Sequence, residues 1–356
     1  MKKWILLISL NLMTWSYLSA QETAQTGDLI QGGVADANKL VDAYIAPLNK
    51  ALIYSLGEFN YTGFNRFGDK KFSVGFKTVF LISPESDRTY HVNALNLETL
   101  EAEDPNNDEA QTIFGDSTSY IYIQSKKKSQ FTGEPAFKFK SPTGSGYPGF
   151  PIPYIDLNYS TAKWNFSLGL IPLVPVPTTD LNIFMVRGAA QYNLTSAIGL
   201  DEKKHEISVA TSAGYFHGYS LLDVKPSGVT VNASTSGNQS GPYDNQKLLL
   251  DYTSFSLATH YAYLFGKHYR IYVGGGMVAG NSSLKLVGTY PIYESDPTGS
   301  FSVVAEDIDD PLDIQNAYFA AFGEAGIRAD WKKWYLQLQA NIGNYTGGSL
   351  GIGYKF

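Results

Sequence analysis

The feature that most constrains this chain is an alternation of period two that recurs along its length. Residues 334–342 read WYLQLQANI, placing Trp334, Leu336, Leu338, Ala340 and Ile342 on one side and Tyr335, Gln337, Gln339 and Asn341 on the other. Successive side chains of an extended chain point to opposite faces, so this is a strand with one apolar and one polar face. The pattern returns at 206–215, where Ile207, Val209, Ala213 and Tyr215 oppose Glu206, Ser208, Ser212 and Gly214. It returns at 252–265, with Phe255, Leu257, Tyr261, Tyr263 and Phe265 against Ser254, Ser256, Ala258 and His260. At 268–278 Tyr269, Ile271, Val273 and Met277 oppose His268, Arg270 and Tyr272, and at the end Leu350, Ile352, Tyr354 and Phe356 alternate with Ser349, Gly351, Gly353 and Lys355. Such a chain is all-β and antiparallel. What decides its architecture is what the two faces meet.

A soluble β-sandwich pairs an aliphatic inner face with a strongly charged outer one. Here the polar face is mild, made of Ser, Gly, Asn, Gln and Thr, and the apolar face is rich in aromatics. The chain carries 25 Tyr, 20 Phe and 5 Trp, while charged residues make up only 17%, against about 25% in soluble domains. One side meeting lipid and the other a wet lumen accounts for this. Short connections near 66–70, 161–163, 199–204, 266–268 and 330–333 contrast with long ones at 83–150, 222–247 and 289–315, the asymmetry between periplasmic turns and extracellular loops. Aromatics flank four of the short turns: Phe59, Tyr61 and Phe72; Tyr159 and Trp164; Phe265 and Tyr269; Trp331 and Trp334. Rings of this kind settle at the lipid–water boundary. The terminal Phe356 on an alternating strand is the signal that barrel-assembly machinery reads. The expectation is an antiparallel transmembrane β-barrel among the lipid and lipopolysaccharide of a Gram-negative outer membrane.

Eleven strand segments are discernible, near 57–66, 71–82, 152–160, 163–171, 180–198, 204–221, 248–265, 268–288, 314–330, 332–343 and 346–356. An antiparallel barrel closes with an even number. Twelve strands are therefore expected, with ten and fourteen open, and residues 117–123 and 135–140 are candidates for a missing one. Ahead of the strands, Lys2 and Lys3 precede an apolar stretch from Trp4 to Leu18 and a small-residue site at Ala20, read as a secretory signal peptide cut after Ala20. Residues 21–56 form an N-terminal segment and 57–356 the barrel. Within the former, Leu40, Val41, Tyr44, Ile45, Leu48 and Leu52 recur at helical steps over 36–53, with Asp36 as N-cap and Pro47 as a kink or stop. If 57–66 is a strand running towards the periplasm, the chain has to reach the outside first, and one route is for the helix to pass through the lumen as a plug, with Leu40, Tyr44 and Leu48 as plug candidates; the alternative is that the strand count is wrong and the helix sits under the barrel.

The run DANKLVDAYIAPLNKAL followed by EFNYTGFNRFGDKKFSVGFKTVF resembles the start of a family of uncharacterised outer-membrane proteins common in Bacteroidota-type bacteria. QTIFGDST at 111–118 is similar to that family's short apolar-Phe-Gly element. The stretch from Pro151 through IDLNYSTAKWNFSLGLIP to DLNIFMVRGAAQYNL is similar to its central strands, with Arg187 at the family's strand arginine. The family has no assigned activity, so the resemblance implies location and fold. A weaker architectural similarity links the chain to outer-membrane transporters of fatty acids and aromatic hydrocarbons, which carry an N-terminal hatch inside a barrel; none of their signature residues is present.

The charged residues expected to face the lumen are Lys77, Asp156, Arg187, Arg270, Glu324 and Arg328, with His260. They either bias a polar path towards certain solutes or pair across the lumen. Acidic clusters at 101–104 (with Asp108 and Glu109) and 306–310 (with Asp313) could take calcium or bridge lipopolysaccharide phosphates, though neither has EF-hand spacing. No cysteine is present, which excludes disulfides, thiolate metal sites and cysteine nucleophiles, and the net charge of −6 argues against nucleic acid. There is no GxSxG or HExxH element, the five histidines show no metal spacing, and no cofactor is implied. The SxxK at 125–128 lies in a Ser/Lys-rich stretch, and the triple glycine at 274–276 lies within a strand. The chain is read as non-enzymatic. Transport of a small, hydrophobic or amphipathic solute is the leading expectation, resting on the lumen-side aromatics Tyr272, Tyr318, Phe322 and Tyr335 and on the plug. A display barrel whose long loops bind a partner comes second and an embedded hydrolase last.

Overall fold

The computed structural model describes residues 33–58, 61–64, 71–128, 133–176, 180–224, 243–266, 268–295 and 302–356. The expected signal peptide lies outside them. Ten strands form the wall: β1 (Phe72–Ile82), β2 (Gly149–Ser160), β3 (Trp164–Pro175), β4 (Leu181–Asn193), β5 (His205–Leu221), β6 (Lys247–Phe265), β7 (Tyr269–Val287), β8 (Leu312–Asp330), β9 (Trp334–Gly343) and β10 (Thr346–Lys355). Each pairs antiparallel with its neighbours in the chain, and β10 returns to β1 from Ser73–Lys355 to Ile82–Thr346, closing an up-and-down barrel. Closure removes the free edges that would otherwise leave backbone groups unpaired in lipid.

The count of ten corrects the expected twelve, and the reason is local. Residues 57–66 are not a barrel strand: Gly57 ends a helix, and Tyr61–Phe64 run as coil with Tyr61 and Phe64 fully buried. The other ten expected segments are the ten strands. Residues 117–123 and 135–140 contribute no wall strand either; Tyr122–Ser125 and Lys138–Lys140 join Leu100–Ala102 in a small three-stranded sheet.

The outward face is apolar. Phe72, Val74 and Phe76 on β1, Phe255 and Leu257 on β6, Ile271, Val273 and Met277 on β7, and Leu336, Leu338 and Ile342 on β9 are exposed. Around the short-turn end the rings gather into a girdle: Phe72 lies 4.8 Å from Tyr159, Trp164 4.6 Å from Tyr192, Tyr263 4.8 Å from Phe265 and Trp334 5.0 Å from Tyr354. Tyr61 does not belong to it, being inside the lumen, and Phe59 lies outside the described residues. Phe356 is exposed beside Tyr354, and its N–H donates to Phe72 O (2.9 Å).

The long-loop end is capped. Residues 83–148 between β1 and β2 form a lid in which Thr89–His91 pairs with Glu109–Gln111 beside the three-stranded sheet. The lid has its own apolar core of Val92, Leu97, Leu100, Ala110, Ile121, Ile123 and Phe139.

Inside runs helix α1 (Val34–Gly57). Ten strands about 4.8 Å apart and tilted near 40° enclose a backbone cylinder of roughly 20 Å. After wall side chains are subtracted, one helix of about 10 Å fits only against small residues. The wall supplies them: Ala210 and Gly214 on β5, Ser254 and Ala258 on β6, Gly280 on β7 and Ala320 on β8. Gly280 sits against Ile53 with no space for a side chain, and Gly214 lies close against Leu56. The direction of α1 is the reverse of that expected. Its first turn lies under the lid at the long-loop end and its C-terminus points down the lumen, where Glu58 and Tyr61–Phe64 are buried below it. Asp36 is not the N-cap, which is Gly33, and Pro47 sits inside the helix without ending it.

The filled lumen as the candidate functional site

At the top, α1 is welded to the lid. The Asp36 carboxylate, in the first turn, accepts N–H bonds from Glu98 (2.7 Å), Thr99 (2.7 Å) and Leu100 (3.0 Å) and the Thr99 hydroxyl (2.7 Å). Leu40 is buried in the lid's apolar core, Tyr44 Oη donates to Thr143 O (3.1 Å), and Leu48 packs on the main core. Ile113, from the QTIFGDST element, donates its N–H to Tyr44 O (3.0 Å). Lower on the helix, Lys50 pairs with Asp87 (2.9 Å), and Tyr345 Oη reaches both Pro47 O (3.1 Å) and Asp87 (3.0 Å). A buried Tyr252 hydroxyl donates to Asn49 Oδ1 (2.7 Å).

Below the helix the plug becomes polar. Ser212 Oγ donates to Gly57 O (3.0 Å), Arg187 donates to Glu58 O, and Gln339 Nε2 donates to Glu58 Oε1 (2.9 Å). Tyr61 stacks on Tyr272 at 4.4 Å and donates to Glu206. Gly63, at φ 70, is the turn that lets Arg270 lie against the backbone. From there Arg270 Nη2 donates to Phe64 O (2.8 Å), and Asn165 Nδ2 donates to Gly63 O (2.8 Å). The segment is therefore held by side chains from β3, β4, β5, β7 and β9.

The seven charged positions read from the sequence all point inward and are buried. Lys77 pairs with Asp156 (3.1 Å) and His260 Nε2 with Glu324 (2.6 Å). Arg270 (2.9 Å) and Arg328 (3.2 Å) share Asp330, which also holds Lys355. Glu324 and Arg328 share a face of β8 and engage different partners. Arg187 turns to the plug backbone and to Tyr154 Oη (3.2 Å). Room for these groups is built in: Gly274 lies against His260, Gly169 against Arg187, and Gly75 and Gly353 against Tyr335, over whose ring Arg328 rests at 4.0 Å. The expected lumen aromatics Tyr272, Phe322 and Tyr335 are buried inward and Tyr318 partly so.

Glu58, Tyr61, Glu206, Asp330 and Gln339 complete the network and were not singled out from the sequence. Glu206 and Gln339 stood on polar faces like many others, Asp330 abutted a turn, and Glu58 and Tyr61 fell in the segment read as a strand. Five acidic groups (Glu58, Asp156, Glu206, Glu324, Asp330) thus face five basic ones (Lys77, Arg187, Arg270, Arg328, Lys355). In the loops, the acidic residues engage nearby side chains and backbone: Glu101 with Gln124 (3.1 Å), Glu103 with Lys138, Asp108 with His91 (2.9 Å) and Asn93 N–H (3.1 Å), Asp313 with Lys285 (3.0 Å) and Gln315 (3.1 Å). Among the described residues no three such groups converge as metal ligands.

Solved structures similar to this chain are outer-membrane barrels. The attachment invasion locus protein Ail of Yersinia pestis is 8% identical over 80% of this chain and 99% of its own, with a TM-score of 0.27. The outer membrane protease OmpT of Escherichia coli is 7% identical over 81% and 97%, at 0.29, and the toluene transporter TodX of P. putida 9% identical over 82% and 68%, at 0.25. Each is a likeness of fold alone. No curated protein matches the chain. A sequence profile does: it spans residues 1–356, and by that match the chain belongs to the family of unknown function DUF6588.

Proposed function

We propose that this protein is an outer-membrane transporter for a small apolar or amphipathic solute, secreted by its signal peptide, folded by the barrel-assembly machinery, and working in a Bacteroidota-type bacterium. The observation that carries this reading is the way the lumen is filled. An ion-conducting pore keeps a watered path lined by charges of one sign. Here residues 33–58 and 61–64 occupy the axis, and five acidic groups, Glu58 of the plug and four of the wall, face five basic groups of the wall. What remains chemically distinctive is the upper lumen, where α1 and the lid surround apolar side chains. The reading assigns no reaction and no cofactor to the chain.

Planar-bilayer recording of the refolded protein, after a heat-dependent gel shift confirms folding, tests it. Silence is expected, with conductance appearing when residues 21–53 are deleted. Large, stable, ohmic steps from the intact protein overturn the plug. A second reading, surface display, has its own support in the lid, a folded unit with a separate core. Display expects loss of a binding partner when 83–148 are deleted and no change in solute uptake when 21–53 are.

A further inference from the structure

Among the described residues, the shortest ladder of the wall lies between β2 and β3. Between β1 and β2 the ladder is continuous from Phe72–Tyr159 to Ile82–Gly149, and β3 stays on β4 from Trp164–Tyr192 past a bulge to Pro175–Asn182. Between β2 and β3 only six residue pairs form, from Ser160–Asn165 to Ile155–Leu170. Beyond them, residues 149–154 and 171–175 adjoin with no ladder pairing.

The sequence explains the break. In a strand, the N–H and C=O of one residue point to the same neighbour, and the next residue's to the other. Ser160 N–H donates to Lys71 O (2.8 Å) and Ser83 N–H to Pro148 O (2.6 Å), so the even-numbered residues of β2 bond β1 and the odd-numbered ones face β3. Asn193 N–H donates to Lys163 O (2.9 Å), so up to the bulge after Ile171 the odd-numbered residues of β3 bond β4 and the even-numbered ones face β2. After Ile155 and Leu170, the next positions due to donate across this seam are 153, 172 and 151. All three are proline. The next pair in register, 153 with 172, and the following β2 position therefore offer no donor, and the bulge after Ile171 shifts the rest of β3 out of that register.

The seam lies at outer-leaflet depth. On β7 the outward face is apolar from Tyr269 to Ala279 and turns polar at Asn281. Starting from the same rim, 149–154 of β2 fall in the upper half of that band. The outward Phe80 pairs with Pro151, and Leu173 is 58% exposed. On the lumen side Ile152, Ile171, Val176, Ile183 and Met185 are buried together, and Phe114 of the lid stacks on Phe150 at 5.9 Å. The helix packs on β5–β8, away from this face. Unpaired backbone in hydrocarbon costs several kcal/mol per group. An edge interrupted by prolines at 151, 153 and 172 is a poor template for a further strand, which argues against a second copy or a peptide as the occupant.

We infer that the β2–β3 seam is a lateral portal, through which a small apolar molecule passes between the upper lumen and the outer leaflet. This rests on the transport reading. Because the chain has no cysteine, a Pro153→Cys/Pro172→Cys pair, next in register, can be oxidised to staple the seam. The readout is protein-dependent uptake of the apolar fluorophore N-phenyl-1-naphthylamine by cells with an intact outer membrane. Stapling is expected to lower it at least tenfold and reduction to restore it. Uptake unchanged by the staple overturns the portal and leaves transport standing. No protein-dependent uptake by the unmodified barrel removes both. If the stapled variant fails the gel shift, photolabelling of the unmodified protein with a diazirine-bearing alkane decides: adducts confined to 149–154 and 171–176 support the portal, and adducts spread over the outer band overturn it.

Discussion

The two sides of this barrel follow the same alternation and reach opposite outcomes. β5 to β8 have 17, 19, 19 and 19 residues, contain no proline, and pair without interruption, β6 with β7 over 19 positions. β2 and β3 have 12 residues each, carry prolines at 151, 153, 172 and 175, and pair over six. The tall side presents small residues inward and seats the helix; the short side presents Ile152, Ile171 and Met185 and is loosely joined. The contrast shows that a closed sheet need not be uniformly stable, since local ladder continuity sets how easily each part opens.

The largest test acts where the sides are tied together. Asp330 on β8 holds Arg270 of β7, Arg328 and Lys355 of β10. Replacing it (Asp330→Ala) strands two buried guanidinium groups and the partly exposed Lys355 and is expected to cost about 3–5 kcal/mol, read as the urea midpoint of the heat-dependent gel shift. An unchanged midpoint would mean that water already solvates this cluster. The comparison itself is measured by amide exchange: β6 and β7 should be protected over 149–154 and 171–175 by on the order of a hundredfold, about 3 kcal/mol. Equal protection would show that the seam is closed in solution. Next, Gly280→Leu pushes a side chain into Ile53 and should destabilise by about 1–3 kcal/mol. Ala279→Leu, one residue away on the lipid face, should be neutral.

How much of this was legible depends on which face carried the information. The outward faces of the strands are apolar over the band next to the short-turn rim, so Trp334–Ile342 or Tyr269–Met277 declare themselves. The helix was legible through Leu40, Tyr44 and Leu48. Its direction was not, because the sequence EFNYTGF alternates as a strand does while its described residues Glu58 and Tyr61–Phe64 lie in the plug, and only contacts such as Arg270 with Phe64 O reveal that. The pairing of Lys77 with Asp156 or His260 with Glu324 needs register between strands far apart in sequence. The prolines of β2 and β3 are plain to see, but their shared direction follows only once the parity of each strand is known. Strands of three residues, as in the lid, are too short to leave a period.

Smaller effects bear on whether the lid belongs to the tall side. Asp36→Asn keeps the shape and removes the charge that four donors address; a loss of about 1–2 kcal/mol should appear as faster proteolysis within 83–148, with β6 exchange unchanged. Parallel loss in both would make lid and tall wall one unit. The smallest effect is at His91 and Asp108. The hydrogen bond and charge of Asp108 raise the His91 pKa above 6.5, and the same bond lowers that of Asp108 below 3.8. The pair's contribution is therefore complete between those two unperturbed values. It is lost as pH rises through the raised histidine value or falls through the lowered carboxyl value. An NMR titration of the His91 ring should show the upward displacement, and Asp108→Asn should abolish it.

The enclosed helix also dictates an order of events. α1 precedes β1 in the chain, yet lies inside a cylinder whose final join is β10 on β1, with the Phe356 N–H meeting Phe72 O at the rim. A side-chain-bearing helix gripped at both ends cannot be threaded into a finished tube. It has to be wrapped, with the tall strands collecting around it before the earliest and latest strands meet. That last contact spans nearly the whole sequence and is the kind that forms slowly. The nascent protein is thus a folding sheet curling about its own core, and premature closure would leave an empty cylinder with its stopper outside.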